Sequence, residues 1–249
     1  MRKRALTLLA VVWCLAAAPS TRADDESRAV IEKAVRAHGG EDKLAKLRVL
    51  QMKSKGTVVV NGSTAMFTAD SCRQLPDRSK VNMQLEIGDV KLQLVQVQNG
   101  KLAWSRLEDQ TEELQDERLA EQQARTHQLQ VQSLLPLLKD KAYNLSLLGE
   151  IKVNDRPAVG VRAAFKGQAD INLYFDKEHG LLLKCERRGL SLAQQEISLE
   201  TFFGEYKEID GLKQPMKLLI HQDGKLYMEM QVTELRFEES IDASEFARP

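Results

Sequence analysis

The side chains able to do covalent or metal chemistry are few and scattered. His38, His127, His179 and His221 fall at a helix end, on a polar helix, in a turn and on a strand. No pair has ligand spacing, and there is no H-E-x-x-H. No G-x-S-x-G, phosphate loop or dinucleotide fingerprint occurs either. The glycine-rich "AHGGED" precedes the strands, and a helix stop accounts for it. Carboxylates are abundant but fall mostly on helix surfaces and turns, so the one hydrolase reading left open is an acid pair in a cleft. No catalytic residue, cofactor or metal is expected. Cys72 and Cys185 are too few for a disulfide scaffold and lack metal-type spacing. By strand phase Cys185 points to the apolar face and Cys72 to the outer one, which favours two separate thiols over a bridge.

What the residues do offer is a surface. Met66, Met83, Met216, Met228 and Met230 recur among Leu, Val and Ile at strand-phased positions. Methionine adapts to irregular apolar partners. The same stripe also suits an ordinary core, and both readings stand on the pattern alone.

The N-terminus reads as an export signal. "MRKR" is a basic start, "ALTLLAVVWCLAAAP" an apolar run short for a membrane span, and Thr21 and Ala23 suit cleavage after Ala23. Trp13 before Cys14 argues against lipidation. Cleavage removes Arg2, Lys3, Arg4 and Arg22 from 36 basic residues and none of the 36 acidic ones, leaving a net charge of −4. A mildly acidic chain does not suit a nucleic-acid partner. The expected organisation is a signal peptide over 1–23 and one domain over 24–249, in a periplasmic or secreted protein.

The elements that must position this surface follow from periodicity. Residues 25–38 carry a helical stripe, Val30, Ile31, Ala34 and Val35, stopped by Gly39 and Gly40. From residue 49 the period becomes two. Asn61-Gly62 pairs Val60 with Ser63, Val58 with Ala65 and Gly56 with Phe67. Gly88-Asp89 pairs Ile87 with Val90, Leu85 with Leu92 and Met83 with Leu94. At Asn99-Gly100 a two-residue turn would pair Val97 with Leu102 and Val95 with Trp104, on the opposite face. Either a bulge switches faces there, or the strand is covered on both sides. Residues 111–139 read as helical, with Thr111 at the start, Ser133 capping a second short helix and Pro136 in its first turn.

Strands resume at 143. A five-residue loop pairs Phe175 with Leu181, Leu173 with Leu183 and Ile171 with Cys185. Met216, Leu218 and Ile220 face Leu226, Met228 and Met230 if the loop is the three residues 222–224. The whole reads as α+β: a curved antiparallel sheet of about eleven strands, a half-open β-barrel capped by helices.

Three phrases resemble the LolA-like/LppX-like superfamily of periplasmic lipoprotein- and lipid-binding domains. They are "LYFDKEHGLLLKCE", "GEYKEIDGLKQPMKL" and "VTELRFEESIDASEFARP". The resemblance spans roughly residues 25–249 and carries over no functional residue. It implies a half-barrel whose concave face takes acyl chains beneath a helical lid. The lining is then expected from Met83, Leu85, Leu92, Leu94, Leu173, Phe175, Met216, Leu218, Met228 and Met230. Leu129, Leu134, Leu135 and Leu138 would belong to the lid, some covering the sheet and some meeting ligand. The expected partners are the acyl chains of a lipid or lipoprotein, with room for a membrane-bound donor or acceptor protein. A monomer is expected. Related half-barrels in envelope-stress regulators imply a second class, a sensor or scaffold that binds a protein.

Overall fold

The computed structural model describes residues 21–191 and 193–249. Most of the expected signal peptide, residues 1–20, lies outside the described residues. The chain opens with α1 (Thr21–Ala37) and the short α2 (Glu41–Leu44). Six strands follow: β1 (Val49–Val60), β2 (Ser63–Gln74), β3 (Arg78–Ile87), β4 (Val90–Asn99), β5 (Leu102–Leu107) and β6 (Gln110–Glu113). Helices α3 (Asp116–Gln132) and α4 (Leu135–Lys139) separate these from β7 (Tyr143–Val153), β8 (Arg156–Phe165), β9 (Ile171–Asp176), β10 (Leu182–Leu190) and β11 (Glu196–Gly204). A small hairpin, β12 (Lys207–Ile209) and β13 (Leu212–Gln214), precedes β14 (Lys217–Gln222) and β15 (Lys225–Glu238).

Thirteen strands form one antiparallel sheet in the order β6-β5-β4-β3-β2-β1-β15-β14-β11-β10-β9-β8-β7, and β12-β13 form a second sheet. Among the described residues no strand pairs with β6 or β7 on its outer side, so the large sheet does not close into a barrel there. The count exceeds the expected eleven, and one of the added strands lies where a helix was expected: Gln110–Glu113 pairs with β5, which makes Thr111 an edge-strand residue and moves the helix start to Gln115. The segment read as one strand near 213–221 divides into β13, which joins the small sheet, and β14, which stays in the large one.

The two asparagine- and glycine-led hairpins follow the expected registers, Val58 against Ala65 and Met83 against Leu94. Other turns depart from expectation. After β4 the turn is Gly100-Lys101, so Val97 faces Trp104 and Val95 faces Arg106. The ladder has no bulge there, and the strand is covered on both sides. Val95, Val97 and Trp104 pack with Phe246 of the C-terminal 3-10 turn, while Gln98 meets Thr126 of α3 at 2.6 Å. A bulge between Leu182 and Lys184 shifts β10, so Phe175 faces Leu182 and Leu173 faces Cys185. Between β14 and β15 the loop is the two-residue Asp223-Gly224. A bulge at Tyr227 then restores the phase, setting Ile220 against Met228 and Leu218 against Met230. Ile220 and Leu218 thus face Met228 and Met230 by a different device and in a different register from the expected one, and Leu226, expected on the same face, lies opposite His221 and is exposed.

The main core lies where α1, α3 and α4 cover the β7–β10 half of the concave face. Ile31, Ala34, Val131, Leu134 and Leu137 meet Val161, Ile171, Leu173, Phe175 and Cys185. On the other half, Val58, Ala65, Phe67, Ala69 and Leu85 form a second cluster rimmed by half-buried Met83, Met228 and Met230. Cys185 is buried on the concave side, and Cys72 is half-buried against the convex cluster; both are free.

Candidate binding cavity on the concave face

Between these two halves lies a cavity of ≈ 320 Å³, within the range of small-molecule pockets. One wall comes from β1, β2 and β3 through Leu50, Phe67, Ala69 and Met83, continued by Leu218, Met228 and Met230 of β14 and β15. The opposite wall and roof come from the helices: Leu129, Gln132 and Leu134 near the α3–α4 junction, and His38, Leu44 and Leu47 around α2. Phe203, Tyr206 and Leu182 complete it. Strand phase explains the apolar wall, because alternate residues of each strand face the same side.

The roof breaks at a defined point. Ser133 closes α3, its hydroxyl donating to the Gln130 carbonyl at 2.6 Å, rather than capping α4. Leu134 then adopts φ 67, a left-handed backbone rare for a non-glycine residue. Pro136 falls in the first turn of α4, as expected. The body of α3 is tethered to the sheet on both sides. Arg187 of β10 donates to Glu121 at 2.6 Å and 3.2 Å and to Gln128 at 2.7 Å. On its other side, Thr126 donates to Gln98 of β4 and lies 3.2 Å from the Ser79 hydroxyl of β3.

The histidines are structural in their contacts. His38 is buried, its Nδ1 2.8 Å from the Ala34 carbonyl and its ring edge-on to Tyr206, whose hydroxyl donates to the Leu182 carbonyl at 2.6 Å. His127 Nε2 lies 3.0 Å from the Tyr143 hydroxyl. Burial lowers both histidine pKa values, with Arg187 adding to the effect at His127. Among the described residues no group of three His, Cys, Asp or Glu side chains could hold a metal ion.

Of the residues picked out from sequence, Met83, Leu218, Met228, Met230, Leu129 and Leu134 are brought together around the cavity. Leu85 and Leu92 extend the apolar wall beyond it, and half-buried Leu94 faces Met83. Leu173 and Phe175 lie inside the main core, and Leu135 and Leu138 pack against that core. Met216 is buried just before β14 and does not line the cavity. Sequence reasoning missed Phe67, Phe203, Tyr206 and Arg73. For Phe67 and Arg73 a signal was present: both lie in the phase that the Gly56–Phe67 pairing assigns to the concave face.

A larger recess of ≈ 560 Å³ lies on the convex side, lined by Lys53, Asp70, Lys80, Glu234, Arg236 and Glu245 among others. Lys53 pairs with Glu234 at 3.3 Å and Lys80 with Glu245 at 2.9 Å. It reads as a solvated surface groove, and the concave cavity is the better candidate.

No protein-family model and no curated protein matches the sequence. Solved structures do match. A DUF1329 family protein from Desulfovibrio piger aligns at TM-score 0.57 and 12% identity, over 89% of this chain and 97% of that one. A LolA superfamily protein from Nitrosomonas europaea aligns at TM-score 0.57 and 11% identity, over 89% and 97%. A domain provisionally described as an outer membrane lipoprotein-sorting protein, from Vibrio parahaemolyticus, aligns at TM-score 0.54 and 13% identity, over 90% and 97%. The fold is LolA-like. At these identities the likeness is one of fold.

Proposed function

We propose that this protein is a non-catalytic carrier that holds the acyl chains of a lipid or lipoprotein in the concave cavity. The observation that supports the reading most directly is the cavity itself: an apolar wall rich in methionine and leucine, roofed at the α3–α4 junction. Each methylene moved from water into such a site contributes about 0.8 kcal/mol. Ten of them supply ~8 kcal/mol, the scale of a micromolar Kd before ordering costs are subtracted. No covalent chemistry is needed to hold such a ligand, and release requires only that the roof replace its contacts. In this reading residues 1–23 are an export signal removed near Ala23, residues 24–249 work as one domain in the periplasm, and a membrane-bound protein delivers or accepts the cargo.

Native mass spectrometry of the purified protein, followed by lipid extraction, tests the reading. A co-purifying or added long-chain lipid bound at one or a few copies supports it. A protein that purifies empty and takes up neither a C16 fatty acid nor a lysophospholipid overturns it.

A further inference from the structure

The carrier reading makes no use of Arg73. It sits near the end of β2, opposite Leu50 of β1 and Ser79 of β3. It shares the phase of Phe67, Ala69 and Ser71 and, like them, lines the cavity. Protein surrounds the guanidinium closely enough that burial alone pulls its pKa down to about 10, so it is still a cation at neutral pH. The residue keeps part of its accessible surface.

Among the described residues no side chain or carbonyl accepts a hydrogen bond from Arg73, and no carboxylate pairs with it. The two lysines that border the same cavity are both paired, Lys80 with Glu245 at 2.9 Å and Lys213 with Glu208 at 3.1 Å. Among the described residues no Asp or Glu lines the cavity. An enclosed charge without a counter-charge is costly, and a bound anion would offset that cost. A guanidinium presents a planar fork of donors that matches the oxygens of a carboxylate or a phosphate.

We propose that Arg73 receives the anionic head group, a carboxylate or a phosphate, of an amphiphile whose acyl chain lies against Phe67, Met83, Met228 and Met230. The proposal rests on the carrier reading and adds a selectivity to it: acidic amphiphiles are held in preference to neutral ones of equal chain length.

Three C16 probes test it by calorimetry on the unaltered protein: hexadecanoate, hexadecyl phosphate and the neutral 1-monopalmitoylglycerol. At least tenfold tighter binding of either anion than of the neutral probe is expected, and the tighter anion identifies the head group. Arg73→Gln should weaken the preferred anion about tenfold and change the neutral probe less than twofold, while Arg73→Lys should retain much of the preference. Equal binding of all three probes, or equal weakening of all three by Arg73→Gln, overturns the role of Arg73 and leaves the carrier reading standing. Failure to bind any probe overturns both. The probe comparison on the unaltered protein decides the question even where a variant does not fold.

Discussion

Arg187 and Glu121 show how single side chains set the roof over the cavity. The Arg187 side chain is 2% exposed and that of Glu121 10%, and Glu121 also accepts from the Leu190 backbone N–H at 3.0 Å. Burial alone would raise the Glu121 carboxyl. The hydrogen bonds and charge of Arg187 outweigh it and hold the group below the usual carboxylate range. A depressed carboxylate contributes stability above its unfolded value, lost only as pH falls through the folded one. This tether therefore persists through neutral and mildly acidic solution. Glu121→Gln leaves the enclosed guanidinium without a counter-charge and should cost roughly 3 kcal/mol, read as a lower urea midpoint. An unchanged midpoint would mean that Arg187 is solvated some other way. His38 and His127 act in a different window. Burial lowers both pKa values below the ordinary 6.5, so the unfolded chain takes up protons first as pH drops. Their contribution is full above that value and declines below it. Unfolding free energy should therefore fall from about pH 6.5 downward, by at most about 1.4 kcal/mol per pH unit for each group. The double variant His38→Asn/His127→Gln should flatten that limb; an unaltered pH profile would sink the assignment.

Strands turn this chain's alternation into two distinct surfaces. Met83 on β3 and Leu218 on β14 line the cavity, whereas Gln84 is exposed on the other face. Met83→Asp and Leu218→Asp should lower the thermal midpoint or abolish acyl-probe uptake, because an unpaired carboxylate then faces an apolar wall. Gln84→Asp should do neither. Three indistinguishable variants would refute the assignment of faces. Much of this surface was legible because turn chemistry and apolar pairing agreed: Asn61-Gly62 and Gly88-Asp89 each leave one register in which apolar residues meet. That Leu218 and Ile220 share a face with Met228 and Met230 was legible too, but their pairing was not: the expected three-residue loop sets Leu218 against Met228, whereas the two-residue turn and the bulge at Tyr227 set it against Met230, and a bulge and a longer loop restore phase equally well. The pairing of β1 with β15 was hidden too, because strands so far apart in sequence share no turn to reveal it. Arg73 escaped notice because a lone cation on a strand reads as solvent-facing, and only strand phase carried past Ser71 puts it inside.

The large sheet carries α1 and α4 on its β7–β10 half, α3 spans from β10 to β4, and the cavity lies at the boundary between the two halves. That arrangement divides the roof into a fixed part and a part free to respond. Residues 116–128 belong to the fixed part, since Arg187 holds α3 from β10 and Gln98 holds it from β4. Among the described residues no hydrogen bond or ion pair ties the α3–α4 junction to the methionine wall: Leu129 and Leu134 border the cavity, and the left-handed Leu134 separates the two helices. The opposite margin, His38 to Leu47, is also built from short elements. Ligand entry should therefore be accommodated at 129–139 and 38–47 while 116–128 stays in place, a local adjustment of the kind that gates many enclosed sites. Amide hydrogen exchange with and without hexadecanoate checks this division. Exchange rates should change in the two marginal segments and stay the same across 116–128. A uniform change over 116–139 would show α3 and α4 moving as one lid. No change in any of these segments, with hexadecanoate demonstrably bound, would mean that the roof is rigid and the leucines at 129–138 are ordinary core.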